Sequence, residues 1–165
     1  GRSNTRQKIW LLNGWGFDQD YPATSPTNTP QPMSSSQILQ NYYDAFNRND
    51  HEGMLSLLTD DVVHGINQSG SEVGREAFQH FLERMDASYS EQVVDLVTMT
   101  SPDGTRAAAE FYIRGRYLKT DPGLPEANGQ EYYLRVGAFF EIVEGKIARV
   151  TNYYDLADWV RQVSC

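Results

Sequence analysis

Cysteine is nearly absent from this chain: Cys165, the last of 165 residues, is the only one. An intramolecular disulfide and a cysteine-cluster metal site are therefore excluded. Basic charge is also scarce. Fourteen Lys and Arg stand against 22 Asp and Glu, giving a formal net charge of -8 and a pI of about 4.8. Without a local basic patch, such a chain repels nucleic-acid backbones and anionic membranes, and neither is expected as a partner. Long apolar runs are missing too. Near the start the longest is Ile9 to Leu12, far too short for a signal segment or a membrane span, so a cytoplasmic setting is the expectation. The chain has no HxxxH or HExxH pair, no GxxxxGK[ST] loop and no GxSxG elbow, and the spacing of Gly70-Ser71-Glu72-Val73-Gly74 fits none of them. No metal and no cofactor are expected.

Proline and small polar residues are confined mainly to one end. Four of the seven prolines (Pro22, Pro26, Pro30, Pro32) lie among Ser, Thr, Asn and Gln in residues 1–36, a composition that cannot bury enough surface to order itself. Residues 1–33 are read as a leader and 34–165 as a single domain. Two readings of the leader stand side by side. It is an upstream or non-native extension ending before Met33, or an arm whose Trp10, Trp15, Phe17 and Tyr21 dock on a neighbouring surface.

The strongest local signal is Glu131 to Trp159, two strands of period two joined at Glu144-Gly145. A ribbon of that length needs further strands and an apolar layer across one face. The preceding chain supplies both. Behind the N-cap hydroxyls of Ser34 to Ser36, Ile38, Leu39, Tyr42, Tyr43 and Phe46 recur at helical spacing. Asp50 is placed to cap a second, shorter helix with Met54, Leu55, Leu57 and Leu58 on its buried stripe. Val62 to Asn67 reads as a strand, Gln68 to Ser71 as a polar turn, and Gly74 opens a third helix carrying Phe78, Phe81, Leu82 and Met85. Strands follow at Val93 to Met99 and Thr105 to Lys119, then a loop over 121–129 and the hairpin, and Leu156 to Val160 closes as a helical turn. Helices followed by a run of antiparallel strands define the α+β class.

Four stretches in this order, ILQNYYDAFNRND (38–50), LLTDDVVHGIN (57–67), VGREAFQHFL (73–82) and FEIVEGKIARVTNYY (140–154), resemble the nuclear transport factor 2-like superfamily. Within it the chain is similar to SnoaL-like proteins related to ketosteroid isomerase, over Ser34 to Val163. The resemblance implies a cone-shaped, curved, mainly antiparallel sheet wrapped around three N-terminal helices, a small-molecule cavity inside, and a homodimer through the outer sheet face.

The resemblance also implies positions for the site. The tyrosine that donates to a steroid oxyanion matches Tyr42. The aspartate base falls on Ile66, and the acid that completes the oxyanion hole falls on Ala138. Two of three groups are absent, and an apolar side chain cannot carry a proton, so steroid isomerisation is not expected. The same match turns Glu110, Tyr112 and Arg114 inward, with Asn152 and Tyr154 on the last strand. Arg114 would then hold an anionic or carbonyl-bearing ligand, or else take part in a structural salt bridge. Strand alternation from Ile66 adds His64, the candidate acid/base because imidazole titrates near neutrality, with a hydrogen-bonded structural histidine as the alternative. Tyr42 serves as its candidate partner or as plain core. Tyr43, Tyr133, Phe139 and Tyr153 are expected to face outward. The expected function is a pocket protein for a small organic molecule, working as a cofactor-independent isomerase, cyclase or dehydratase, or as a non-catalytic binding or dimerisation module.

Overall fold

The structure is a computed structural model describing residues 31–67 and 70–164. The leader up to Pro30, including its four aromatic residues, and the Gln68-Ser69 part of the expected turn lie outside the described residues.

Helix α1 spans Ser35–Asn47. Ser34 caps it, its hydroxyl accepting from the Gln37 N–H while the Gln37 side chain accepts from the Ser34 N–H, so two orphan donors are satisfied reciprocally. Asn49, at φ 54°, turns the chain, and Asp50 then accepts from the Gly53 N–H at 2.8 Å to start α2 (His51–Ser56). Strand β1 runs Leu58–Ile66, β2 Gly70–Val73, and α3 Arg75–Ser88. Then come β3 (Tyr89–Thr100), β4 (Arg106–Tyr117), β5 (Glu131–Val143), β6 (Lys146–Tyr154) and α4 (Leu156–Val163). Among the described residues no helix is long and apolar enough to cross a membrane.

The six strands form one sheet in the order β2-β1-β6-β5-β4-β3. Every neighbouring pair is antiparallel except β1 with β6, which makes the sheet mixed. The α+β class is as expected. Glu144 and Gly145 both take positive φ (49° and 76°) at the β5–β6 turn, a backbone whose twist matches the flanking strands. Two elements differ from the sequence reading. β1 begins at Leu58 because Thr59, Asp60 and Asp61, though polar, continue a strand whose apolar residues do not alternate strictly. Gly70 to Val73 is an edge strand paired with Val63 to Ile66, and its polar, exposed sequence carries no apolar alternation to announce it.

The helices cover one face of the sheet: α1 packs on β3 and β4, α3 on β1, β2 and β3, and α4 on β5. Two side-chain amides fasten this layer to strand backbone that lacks a neighbouring strand. Asn47 accepts from the Val93 N–H at 2.8 Å and donates to the Val93 carbonyl at 2.9 Å. Gln162 does the same for Tyr133, at 2.9 and 3.0 Å. Each clamp satisfies backbone groups of an open strand and fixes where a helix sits over the sheet. The core between the layers includes Ile38, Leu39, Met54, Phe78, Phe140 and Val150, each at most 1% exposed.

Candidate functional site

The helix layer does not fill the inner face completely. A cavity of about 670 Å³ remains, a size suited to a small organic ligand. Tyr42 and Tyr43 reach it from α1, Phe78 and Phe81 from α3, Phe111 and Ile113 from β4. Polar groups, among them His64, Glu91, Asp121 and Asn152, are set into this largely aromatic and aliphatic wall.

His64 projects from β1 and is 2% exposed. Its ring lies between Phe78 and Phe81, with centroids at 4.8 and 4.4 Å. Burial in this aromatic box depresses its pKa to about 4, with Glu72 opposing and Arg84 reinforcing the shift. The imidazole is therefore neutral at pH 7 and a weak base, and its Nδ1 is buried without a hydrogen-bond partner. Tyr43 presents the same situation from α1: its hydroxyl is buried and unpartnered, and desolvation holds its pKa well above the ordinary value. Tyr42 is likewise shifted up by burial. All three side chains are uncharged groups able to hydrogen-bond a ligand, and the Tyr43 hydroxyl and His64 Nδ1 have no hydrogen-bond partner among the described residues.

The opposite wall carries a carboxyl group. Glu91 on β3 lines the cavity and accepts a hydrogen bond from the Tyr132 hydroxyl at 2.5 Å. Burial raises the Glu91 pKa, and the Tyr132 hydrogen bond offsets part of that rise. The contact crosses an entire strand, because Glu91 and Tyr132 both pair with Gly115 on β4, one from each side. The Tyr132 ring lies over Gly115 so closely that a Cβ there would meet its Cζ at 2.0 Å. Any side chain at residue 115 would displace the phenol from the carboxyl. Glycine is required at this point by space, not by backbone conformation.

Beside Glu91 the wall becomes aromatic. Tyr89 and Tyr117 stack at 5.3 Å, and Trp159 of α4 meets Tyr117 edge-on at 5.0 Å and Tyr132 at 5.8 Å. The Tyr89 hydroxyl donates to Asp121 at 3.0 Å. Asp121 also lines the cavity, as do Tyr89 and Trp159.

The sequence-predicted residues fall into two groups. Tyr42, His64, Ile66, Asn152 and Tyr154 all line the cavity. Ala138 is on the same face, 1% exposed and paired with Ala109 and Asn152, without reaching the cavity wall. Glu110, Tyr112 and Arg114 were expected to point inward and instead face outward. Glu110 forms an exposed ion pair with Arg135 at 3.1 Å, Tyr112 stacks on Tyr133 at 4.6 Å, and Arg114 is exposed next to Tyr133. The reason is parity. Glu110, Tyr112 and Arg114 pair with Gly137, Arg135 and Tyr133 of β5, and paired residues share a face, so Phe111 and Ile113 are the inward residues. Tyr43 also differs from expectation: it is 4% exposed and lines the cavity, whereas Tyr133, Phe139 and Tyr153 are exposed.

Glu91, Tyr132, Asp121 and Trp159 were missed as site residues. The polar run Ser90-Glu91-Gln92 places the start of the strand at Val93 when judged by apolar content alone, yet β3 begins at Tyr89. The available signal was Gly115 within an otherwise unbroken strand, which marks a close approach of another group. Among the described residues, no three or more His, Cys, Asp or Glu converge as metal ligands would.

The sequence pattern of the SnoaL-like domain matches residues 39–150. A candidate polyketide cyclase from Pseudomonas putida is 52% identical, covering 79% of this chain and 98% of its own, with a TM-score of 0.78. A second candidate polyketide cyclase, from Xanthomonas campestris, is 51% identical over 79% of this chain and 96% of its own, with a TM-score of 0.77. At 19% identity, an NTF2-like protein of unknown function from Burkholderia pseudomallei shares the fold, covering 81% of this chain and 100% of its own at a TM-score of 0.67. The curated proteins include no match. The chain thus has the NTF2-like, ketosteroid isomerase-like fold expected from its sequence, and it belongs to the SnoaL-like family.

Proposed function

We propose that this protein binds a small, largely apolar organic molecule in the inner cavity and moves a proton on it without a cofactor, the chemistry of a cyclase, isomerase or dehydratase. The observation that carries this reading is Glu91: a carboxyl group inside an aromatic cavity, with a raised pKa and a phenol hydrogen-bonded to it. A carboxylate poised nearer neutrality is a better base for a carbon acid than an exposed one. The unpartnered Tyr43 hydroxyl, kept neutral by burial, is a donor for a carbonyl oxygen that gains charge as the proton leaves. Tyr42 stands beside it, and neutral His64 serves as a hydrogen-bonding group before it serves as a base. The similarity to candidate polyketide cyclases favours ring closure within the substrate. Steroid isomerisation is not proposed, since Ile66 and Ala138 offer no proton carrier.

Proton transfer can be tested without knowing the substrate. Exchange of the α-hydrogens of 2-tetralone in D2O, followed by NMR, should be accelerated by the protein, and Glu91→Gln should lower the acceleration by about 100-fold. An unchanged rate in Glu91→Gln would remove the catalytic role. Ligand binding that survives without any exchange activity would leave a non-catalytic binding module as the better reading.

For assembly, the outer face is the proposed homodimer surface. It exposes Val97, Met99, Phe139 and Tyr153, each more than half exposed, within a border of Arg–Glu pairs that a two-fold partner would meet in reverse order. Tyr153→Glu should shift the sedimentation coefficient to that of a monomer. No shift, with a dimer retained, would place the interface elsewhere.

A further inference from the structure

Eleven Lys and Arg side chains belong to the described residues, and none lines the cavity. Three carboxyl groups do: Asp86, Glu91 and Asp121. Asp86 is matched by His51 at 2.9 Å. Among the described residues Glu91 and Asp121 have no cationic partner; their hydrogen bonds come from the neutral hydroxyls of Tyr132 and Tyr89. Two carboxyl groups thus face the cavity with no Lys or Arg of the described residues on its wall, an arrangement that costs free energy in their ionised form unless a cation arrives.

The surroundings suit a cation in a second, independent way. The two carboxyl groups belong to one aromatic cluster: Tyr132, hydrogen-bonded to Glu91, and Tyr89, hydrogen-bonded to Asp121, both meet the Trp159 ring, at 5.8 and 6.1 Å, and Tyr154 lines the same cavity. Aromatic faces attract ammonium groups through their quadrupoles, and carboxylates at the rim add the charge. The buried, unpartnered groups of His64 and Tyr43 point to a ligand that extends beyond this end of the cavity. A carboxylate or phosphate on the ligand would be opposed here by two like charges with no Lys or Arg to compensate.

We infer that the ligand carries a protonated amine, seated between Glu91 and Asp121 against the rings of Tyr89, Tyr154 and Trp159, with its apolar body running toward Tyr43 and His64. This deepens the proposed function and rests on that reading of the cavity as a ligand site. The ammonium favours the ionised form of Glu91, so binding of the substrate itself keeps the carboxylate charged next to the reacting carbon. Selection works by charge, and anionic relatives of the substrate are rejected.

Three probes of equal shape test the inference: 3-phenylpropylamine, 3-phenylpropanol and 3-phenylpropanoate, titrated at pH 7 by calorimetry. The amine should bind about tenfold more tightly than the alcohol, and the carboxylate should bind most weakly. Asp121→Asn, which keeps an oxygen for Tyr89, should reduce the amine to the affinity of the alcohol while leaving the alcohol unchanged. Glu91→Gln should act in the same direction. Equal binding of all three probes, or an amine preference that survives both variants, would overturn the inference and leave the cavity as a neutral-ligand site. Failure of every probe to bind the wild-type protein would remove the ligand-site reading as well.

Discussion

Phe139 and Phe140 are adjacent in β5, yet the first is 51% exposed and the second 0%. They mark two faces of one sheet that are built from similar residues to different ends. On the outer face aromatic rings meet one another, Tyr112 on Tyr133 and Phe139 on Tyr153, and charges meet opposite charges, Glu110 with Arg135 and Glu141 with both Arg106 and Arg149. Each surface pair is worth little, but the Glu110, Glu141, Arg106, Arg135 and Arg149 side chains all have a partner of opposite charge. On the inner face rings line a cavity, and among the described residues the Tyr43 hydroxyl and His64 Nδ1 lack hydrogen-bond partners and Glu91 and Asp121 face no Lys or Arg. A fold does not require such losses. They are the kind of local inconsistency that a binding or catalytic site imposes on an otherwise self-consistent structure.

The sharpest contrast between the faces is stability. In the monomeric Tyr153→Glu background, Phe140→Ala, which empties the contact with Tyr42 and Tyr43, should cost about 3–5 kcal/mol, whereas Phe139→Ala should stay within about 1 kcal/mol. Urea unfolding of both variants measures the difference, and equal losses would abolish the distinction.

A second contrast is in pH response. His64 has a folded pKa near 4 against an ordinary value of 6.5. As pH falls through 6.5 the unfolded chain takes up a proton that the folded chain refuses, so stability is lost progressively down to about pH 4. The depression corresponds to about 3 kcal/mol. His64→Phe should therefore lose about 2–3 kcal/mol less than the wild type between pH 7 and 4.5 in matched urea titrations. Identical pH slopes would show that His64 is not held neutral.

A smaller effect is expected at Gly115. Gly115→Ala should cost about 1–3 kcal/mol by forcing the Tyr132 ring away, and much of that cost should vanish when Tyr132→Ala is added. Additive losses would mean that the two residues do not compete for the same space.

The two faces also explain how much could be read from the chain. The hairpin, the helix caps at Ser34 and Asp50, and the strand at β4 follow from local chemistry, and each was legible. Tyr42, Asn152 and Tyr154 were found through the family resemblance, and His64 through strand alternation from Ile66; all four line the cavity. Glu110, Tyr112 and Arg114 were misplaced because the match to ketosteroid isomerase, and not the strand's own alternation, set their face; in β4 Ala107, Ala109, Phe111, Ile113 and Tyr117 are buried while Arg106, Glu110, Arg114 and Arg116 are exposed. Pairing β4 to β5 would have reversed the assignment. Glu91 was hard to read for another reason: its significance depends on a tyrosine reaching across Gly115 from two strands away, a contact that the glycine marks but that no sequence period announces.

The account stands on the Glu91 carboxyl group in its cavity. Its titration can be followed directly through the side-chain carboxyl carbon by NMR, in the wild type and in Tyr132→Phe. The account predicts a pKa above the ordinary glutamate value of 4.5 and a further rise when the Tyr132 hydrogen bond is removed. A wild-type pKa at or below 4.5, or no rise in Tyr132→Phe, would contradict it.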